Sequence, residues 1–198
     1  MAIITIPAIK NATMDWRLIR GDQALEFFDG GSVIMQSTKA IWLLSFPLVT
    51  KRIVDTRAWW AALVQLAKQG NQFKATPPGW QQGAGYTGAD PLVAGAGQLG
   101  LSLDCDGAAS SETVGLAGDP IEVNTEVKVL IQDAVSNGAG LVTFDFEPAL
   151  RDSPVNNAVV DVKTPEITLR LLTPQVGVVG RLPDFFDITI DAIEHFGP

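Results

Sequence analysis

The residue types that most often perform covalent chemistry are scarce in this sequence. The chain has one histidine, His195, and one cysteine, Cys105. A Cys/His nucleophile pair would need both of them, and a zinc site needs three or four ligands of these types. A Ser/His/Asp triad would also depend on His195, which lies near the C-terminus and is expected to be a solvated surface residue. We therefore expect no catalytic residues, no metal site and no cofactor.

Two short motifs resemble ligand-binding loops but lie in the wrong context. Residues 95–100, Gly-Ala-Gly-Gln-Leu-Gly, match G-x-G-x-x-G, which binds a pyrophosphate where a strand leads into a helix. Residues 101–104 alternate as a strand instead, so the motif predicts a glycine-rich linker or a bulged strand. Residues 104–107, Asp-Cys-Asp-Gly, lack the glycine and glutamate spacing of an EF-hand and predict a strand end or a turn.

Paired carboxylates are the remaining candidates for acid–base chemistry, which glycoside hydrolysis requires. Asp145 and Glu147 alternate with Phe144 and Phe146, so the two carboxylates share one face of a predicted strand. We expect this face to be solvated, or to meet Arg151, rather than to line a cleft. A hydrolase is accordingly the third choice among the functions considered.

The composition is that of a folded, acidic protein. The 198 residues are 46% hydrophobic and carry 14 Lys+Arg against 22 Asp+Glu, a net charge of -8. This balance argues against disorder and against general binding to nucleic acids or anionic membranes. Residues 39–100 carry 6 basic and 2 acidic groups, whereas residues 101–163 carry 3 and 11. We expect no internal disulfide, no signal peptide and no membrane insertion.

Short β-branched and aromatic runs separated by Gly and Pro are typical of an all-β protein. Trp59, Leu63 and Leu66 recur at helical spacing, and Gly70 follows as the expected left-handed residue, so one helix is predicted over residues 56–69, capped by Asp55 or Thr56. Turns are predicted at residues 29–31, Asp-Gly-Gly, and at Asn137-Gly138. The predicted strands are residues 14–18, 32–37, 40–46, 72–75, 99–103, 122–130, 141–146, 166–172 and 185–190.

These elements predict two β domains. A β-sandwich or split-barrel domain with the short α-helix comprises residues 1–89 and 165–198. A small, acidic, β-barrel-like domain is inserted at residues 90–164, after a long loop rich in Gly and Pro.

Aromatic and basic residues supply the candidate binding positions. One member of the Trp59-Trp60 pair must point away from the helix face formed with Leu63, unless both are buried under a second layer. Opposite charges on one chain suit head-to-tail assembly of copies into a ring, although solvated faces explain the charges equally well. The subunit-interface candidates are Arg52, Arg57, Trp59 and Trp60, and the ligand-binding loop candidates are Trp80 and Tyr86.

A series of short motifs extends from about residue 45 to residue 172. The first half contains Phe46-Pro47, Arg57-Ala58-Trp59-Trp60, Gly70-Asn71-Gln72-Phe73 and Pro77-Pro78-Gly79. The second half contains the glycine-rich residues 95–100, Asn137-Gly138-Ala139-Gly140, and residues 146–151, Phe-Glu-Pro-Ala-Leu-Arg. In this order the motifs resemble those of distal-tail-type minor tail proteins of long-tailed, siphovirus-like bacteriophages. Ala149 stands where that family usually has a second proline.

The resemblance implies a structural protein of the virion that is present in the host cytoplasm during assembly. It implies a homo-oligomeric ring, a hexamer, at the tail tip, which joins the tail tube protein to the tip hub and other minor tail proteins. DNA would pass through the ring without sequence-specific binding, and no residue would be catalytic. The alternative is a carbohydrate- or receptor-binding β domain of a virion, in which Trp80 and Tyr86 stack on the ligand.

Overall fold

The computed structural model describes residues 2–7, 14–26, 32–35, 40–68, 70–77, 80, 82, 84–173, 178–181 and 185–195. Within them the chain is mainly β, with one α-helix, which confirms the predicted fold class. The helix is α1 (Ile53–Leu66). The strands are β1 (Asp15–Arg20), β2 (Gln23–Glu26), β3 (Ser32–Met35), β4 (Ala40–Arg52), β5 (Phe73–Ala75), β6 (Leu92–Val93), β7 (Gly100–Asp106), β8 (Thr113–Gly115), β9 (Pro120–Val123), β10 (Glu126–Leu130), β11 (Ala134–Val135), β12 (Val142–Leu150), β13 (Val160–Asp161), β14 (Ile167–Leu171), β15 (Val178–Arg181) and β16 (Phe185–Glu194).

The chain divides into two compact units. The first unit comprises Met1–Ile19, Ile41–Pro78 and Thr168–Pro198, and the second comprises Arg20–Ala40 and Gly79–Ile167. This division differs from the predicted domains in residues 20–40, 79–89 and 165–167, which all join the second unit. The difference is largest for residues 20–40. Contacts explain the difference, because Arg20 forms an ion pair with Glu147 at 3.1 Å and Arg151 donates a hydrogen bond to the Ala40 carbonyl at 2.7 Å.

One sheet and the helix form the first unit. The strand order is β1-β4-β16-β14-β5, and β15 pairs with β16. The long strands β4 and β16 are antiparallel neighbours, with Phe46 opposite Ile190. The helix packs on this sheet, and the ring of Trp59 meets that of Phe46 edge-on at 6.1 Å between centroids. Burial of apolar surface on one sheet face therefore holds α1 in place.

The helix begins three residues earlier than predicted. Strand β4 runs to Arg52 and α1 starts at Ile53, so Asp55 and Thr56 lie inside the helix rather than at its cap. The buried stripe itself agrees with the predicted spacing, since Trp59, Leu63 and Leu66 are all buried. Gly70 has a φ of 88°, the conformation expected of the residue that ends a helix.

The second unit contains a nearly closed, barrel-like sheet of six strands in the order β13-β9-β10-β12-β7-β6. Its two edges meet at a bridge between Leu92 and Val159. Three backbone hydrogen bonds of 2.9 Å complete the closure, from Val93 N to Ala158 O, from Asn157 N to Val93 O and from Val160 N to Pro91 O. Closure removes the free sheet edges that would otherwise pair with other chains. The largest fully buried residues of the apolar interior are Leu103, Ile121, Leu130, Phe144 and Phe146.

Residues 122–130 do not form the single strand that was predicted. They contribute to β9 and β10, a hairpin whose two connecting residues, Asn124 and Thr125, have φ angles of 51° and 65°. The predicted turn at Asn137 is present, and the Asn137 carboxamide oxygen accepts hydrogen bonds from the backbone N–H groups of Ala139 and Leu141. The turn predicted at residues 29–31 lies outside the described residues.

Candidate interaction surfaces

The outer face of α1 exposes an apolar stripe beside a basic residue. Trp60 and Val64 are 44% and 54% exposed, and the exposed Arg57 lies one turn before Trp60. We call Arg57, Trp60 and Val64 the helix outer face. Trp59 is only 2% exposed, so its assignment to a subunit interface was wrong. Its ring packs against Phe46 of the sheet. The side chain of Arg52 lies outside the described residues.

Charge is divided unequally between the two units. The sequence of the first unit contains 9 Lys+Arg and 6 Asp+Glu, a net charge of +3. The second unit contains 5 Lys+Arg and 16 Asp+Glu, a net charge of −11, and the two values together give the −8 of the whole chain. The two units therefore carry net charges of opposite sign.

The predicted ligand-binding loop does not present two aromatic rings. Tyr86 is 4% exposed and belongs to the interior cluster of the second unit. Its hydroxyl donates to Ala89 O at 2.7 Å and accepts from Ala109 N at 2.9 Å, and Lys163 Nζ lies 5.9 Å from the ring centroid. These contacts show a structural tyrosine that is unavailable for stacking on a sugar. Trp80 is partly buried, and its Nε1 has no hydrogen-bond partner among the described residues.

The glycine-rich motif at residues 95–100 connects β6 to β7, so it joins two strands of a hairpin. Gly95 N donates to the Asn156 side-chain oxygen at 2.7 Å, and Gly97 N donates to Ser153 Oγ at 2.9 Å. The backbone donors that would approach a pyrophosphate are therefore already bonded to side chains of the same unit.

The paired carboxylates of β12 have separate partners. Glu147 pairs with Arg20 at 3.1 Å, and Asp145 accepts a hydrogen bond from the Gln132 side chain. Arg151, the partner suggested by the sequence, instead lies 3.6 Å from Glu126. The two carboxylates are thus engaged in individual contacts on the outer side of the sheet.

Sequence reasoning missed a buried ionic cluster in β10. Lys128 Nζ lies 2.5 Å from Glu126 and 2.9 Å from the Ala149 carbonyl, and the Lys128 side chain is fully buried. The Arg151 guanidinium lies 3.6 Å from the Glu126 carboxylate, and the Arg151 backbone N–H donates to the same carboxylate at 3.4 Å. We refer to Glu126, Lys128 and Arg151 as the buried ionic cluster. A buried charge requires this pairing, because an isolated ion is strongly disfavoured away from water.

Cys105 is expected to be inert towards thiol reagents in the native protein. It is buried in the second unit, and burial, together with the negative charges of Asp104 and Asp106, raises the pKa of its thiol to about 12. The reactive thiolate is therefore scarce near neutral pH. Reaction with a chromogenic disulfide should proceed only after the second unit opens in urea; complete labelling without urea within the mixing time would contradict this burial.

The raised pKa of the Cys105 thiol predicts that the second unit becomes less stable at high pH. Because the folded-state pKa lies above the usual thiol value near 9, the unfolded chain loses its proton first as the pH rises. The stabilisation that comes from keeping the Cys105 thiol protonated is fully present below about pH 9 and decreases as the pH rises towards 12. A Cys105→Ala variant should lack this part of the pH dependence when unfolding is measured in urea at both pH values.

Among the described residues, no three or more His, Cys, Asp or Glu side chains are grouped so as to hold a metal ion. In the same part of the chain, no helix combines the length and hydropathy needed to cross a bilayer. No protein-family model matches the sequence, and no curated protein matches it significantly.

Proposed function

We propose that the chain is a structural protein of a bacteriophage tail tip, which forms a ring that joins the tail tube to the tip or hub complex and lets DNA pass. The observation that carries this proposal is that one chain contains a net-positive unit with an exposed helix outer face and a strongly acidic unit. The motifs that resemble distal-tail-type proteins, and the mainly β architecture, support the same assignment.

Ring formation follows from how unlike surfaces associate. When one surface of a protomer binds a different surface of the next, the assembly is head-to-tail and closes into a ring if the rotation permits. Opposite charge orients the encounter, while a partly exposed tryptophan provides the apolar contact typical of an interface hot spot. In this arrangement Trp60 is the anchor, and Arg57 meets acidic groups of the neighbouring copy.

The acidic second unit also suits the passage of DNA. A unit with a net charge of −11 repels phosphate groups, so a nucleic acid moves past it without being retained. The partners are the tail tube protein, the tip hub and other minor tail proteins. The site of action is the tail tip of the virion, reached after assembly in the host cytoplasm.

Substitutions on the helix outer face should weaken association. We expect Arg57→Glu and Trp60→Ala each to reduce the association constant about tenfold or more, through lost charge pairing and lost apolar contact respectively. Light scattering of the full chain, alone and mixed with tail-tube subunits from the same genome, measures the effect. Gln65→Ala is the matched control, since Gln65 is also exposed on α1 but lies off the stripe.

A monomer that ignores the tube protein would contradict the proposal, as would an oligomer whose mass is unchanged in both helix variants. That first outcome would favour the alternative, a carbohydrate- or receptor-binding β domain. Because the Tyr86 ring is buried, this alternative now depends on Trp80. Glycan binding that is lost in Trp80→Ala would support it.

A further inference from the structure

An open pocket of about 280 Å³ lies in the first unit, where the segment after α1 approaches β14 and the end of β16. Its polar lining residues are Lys68, Asn71, Arg170 and His195. Leu66 and Leu171 supply apolar surface beside them. The volume suits a fragment of a few heavy atoms rather than a drug-sized ligand.

The charged groups among the described residues of this pocket all have the same sign. Lys68 and Arg170 are exposed cations, and no acidic residue is among the described residues that line the pocket. Neither cation makes an ion pair within the described part of the chain. A helix C-terminus by itself attracts cations, so a preference for an anion here must come from these side chains.

His195 is held at the pocket by the sheet. Its backbone N–H donates to Thr168 O at 2.9 Å, which fixes the residue beside β14. Its Nε2 is shielded from solvent and has no hydrogen-bond partner among the described residues. Sequence reasoning expected a solvated terminal histidine, whereas the residue is partly buried and lines a pocket.

We propose that this pocket binds a carboxylate attached to a short apolar group. Lys68 and Arg170 provide charge-assisted donors for the carboxylate, and the leucine side chains contact the hydrocarbon part. An acidic side chain of a peptide and a free small carboxylate share this chemistry. The inference does not rest on the proposed ring, because every residue that it uses belongs to the first unit of one chain.

The single histidine makes the test specific. His195 is the only imidazole in the chain, so one set of imidazole resonances in a ¹H–¹³C spectrum reports on this pocket. The full chain is titrated at fixed pH and ionic strength with valerate, with acetate and with neutral valeramide. We expect saturable shifts with valerate in the millimolar range, weaker binding of acetate because it lacks the apolar group, and no saturable shift with valeramide.

Variants of Lys68 and Arg170 test whether these two cations bind the valerate carboxylate. We expect Arg170→Ala to weaken valerate binding about tenfold, and Lys68→Ala to act in the same direction. Arg57→Ala is the control, because it removes an exposed cation of α1 that does not line the pocket. Equal shifts with valerate and valeramide, an unchanged titration in Lys68→Ala/Arg170→Ala, or no shift with valerate would each overturn the proposal.

A pentapeptide with a central glutamate distinguishes the two sources of the carboxylate. Binding of this peptide at least as tight as that of valerate indicates a peptide ligand, and binding of valerate alone indicates a small molecule. Since the titration uses one chain and no tube protein, a failure here leaves the light-scattering test of the ring unaffected.

Discussion

Replacing Lys128 with alanine should lower the free energy of unfolding of the second unit by about 3–5 kcal/mol. Lys128 is fully buried with its ammonium 2.5 Å from Glu126, so its removal leaves a buried carboxylate whose charge is offset, among the described residues, only by the more distant Arg151 guanidinium, 3.6 Å away. The Ala149 carbonyl also loses a donor. Urea unfolding followed through the reactivity of Cys105 measures the change, because this thiol lies in the interior of the same unit.

Two further variants test whether the loss of a buried charge pair is the reason that Lys128→Ala lowers the free energy of unfolding. Lys163→Ala removes a lysine that pairs with Asp90 at 3.6 Å but is 34% exposed, and it should cost less than about 1 kcal/mol. The double replacement Glu126→Gln/Lys128→Met removes the charges of Glu126 and Lys128 and leaves Arg151 bonded to the Ala40 carbonyl at 2.7 Å, so it should be less destabilising than Lys128→Ala alone. If Lys128→Ala costs no more than Lys163→Ala, the buried ionic cluster does not stabilise the barrel.

A methyl group at Gly140 should destabilise the second unit by about 2–4 kcal/mol. Gly140 has a φ of 75°, and an added Cβ would lie 2.5 Å from the backbone oxygen of Ala108. Because the close atom belongs to the backbone, rotation of a side chain cannot relieve the contact. Gly140→Ala should therefore make Cys105 accessible at a lower urea concentration than in the native protein.

Gly138 provides the control in the same turn. A Cβ added there meets no atom within 4 Å, and the residue does not have a positive φ. Gly138→Ala should change the free energy of unfolding by no more than about 0.5 kcal/mol. Equal effects at the two positions would show that the turn adapts and that the short distance at Gly140 has no energetic consequence.

Periodicity accounts for the parts of the fold that the sequence predicts well. Trp59, Leu63 and Leu66 repeat at three- and four-residue spacing, which identifies α1 and its buried face. The start of α1 is not predictable in this way, because β4 continues to Arg52 and no turn residue separates the two elements. Local patterns thus specify the type of an element more securely than its ends.

Two features of the second unit were not predicted from the sequence: the short edge strands of the barrel and the turn between β9 and β10. Strands β6 and β13 have two residues each, too few for a period to be recognised, yet they form the edges at which the barrel closes. The hairpin between β9 and β10 turns at Asn124 and Thr125, which lack the glycine that normally marks a two-residue turn. The pairing of β6 with the β13 side of the sheet depends on tertiary contacts, whereas the β9–β10 turn is local but lacks the residue type by which such turns are recognised.

The candidate surfaces were predicted in part. The alternative in which one tryptophan of the pair points outward is confirmed for Trp60. Lys128 was not singled out from the sequence, and its register partner in β9 is Ile121, an interior residue on the same side of the sheet. The pocket at His195 joins three separate segments, so no local motif could identify it.

The closure of the barrel also sets the order in which the second unit can fold during synthesis. Residues 91–93 leave the ribosome well before residues 157–160, to which they are hydrogen-bonded in the finished sheet. The hairpins β6–β7 and β9–β10 can form as soon as they emerge, since their contacts are local. Until the last segment arrives, the interior faces of β7 and β12 stay open to water and to other nascent chains. The acidic unit is therefore most prone to aggregation until residue 160 has been translated. Its high negative charge opposes association with other chains during that interval through electrostatic repulsion.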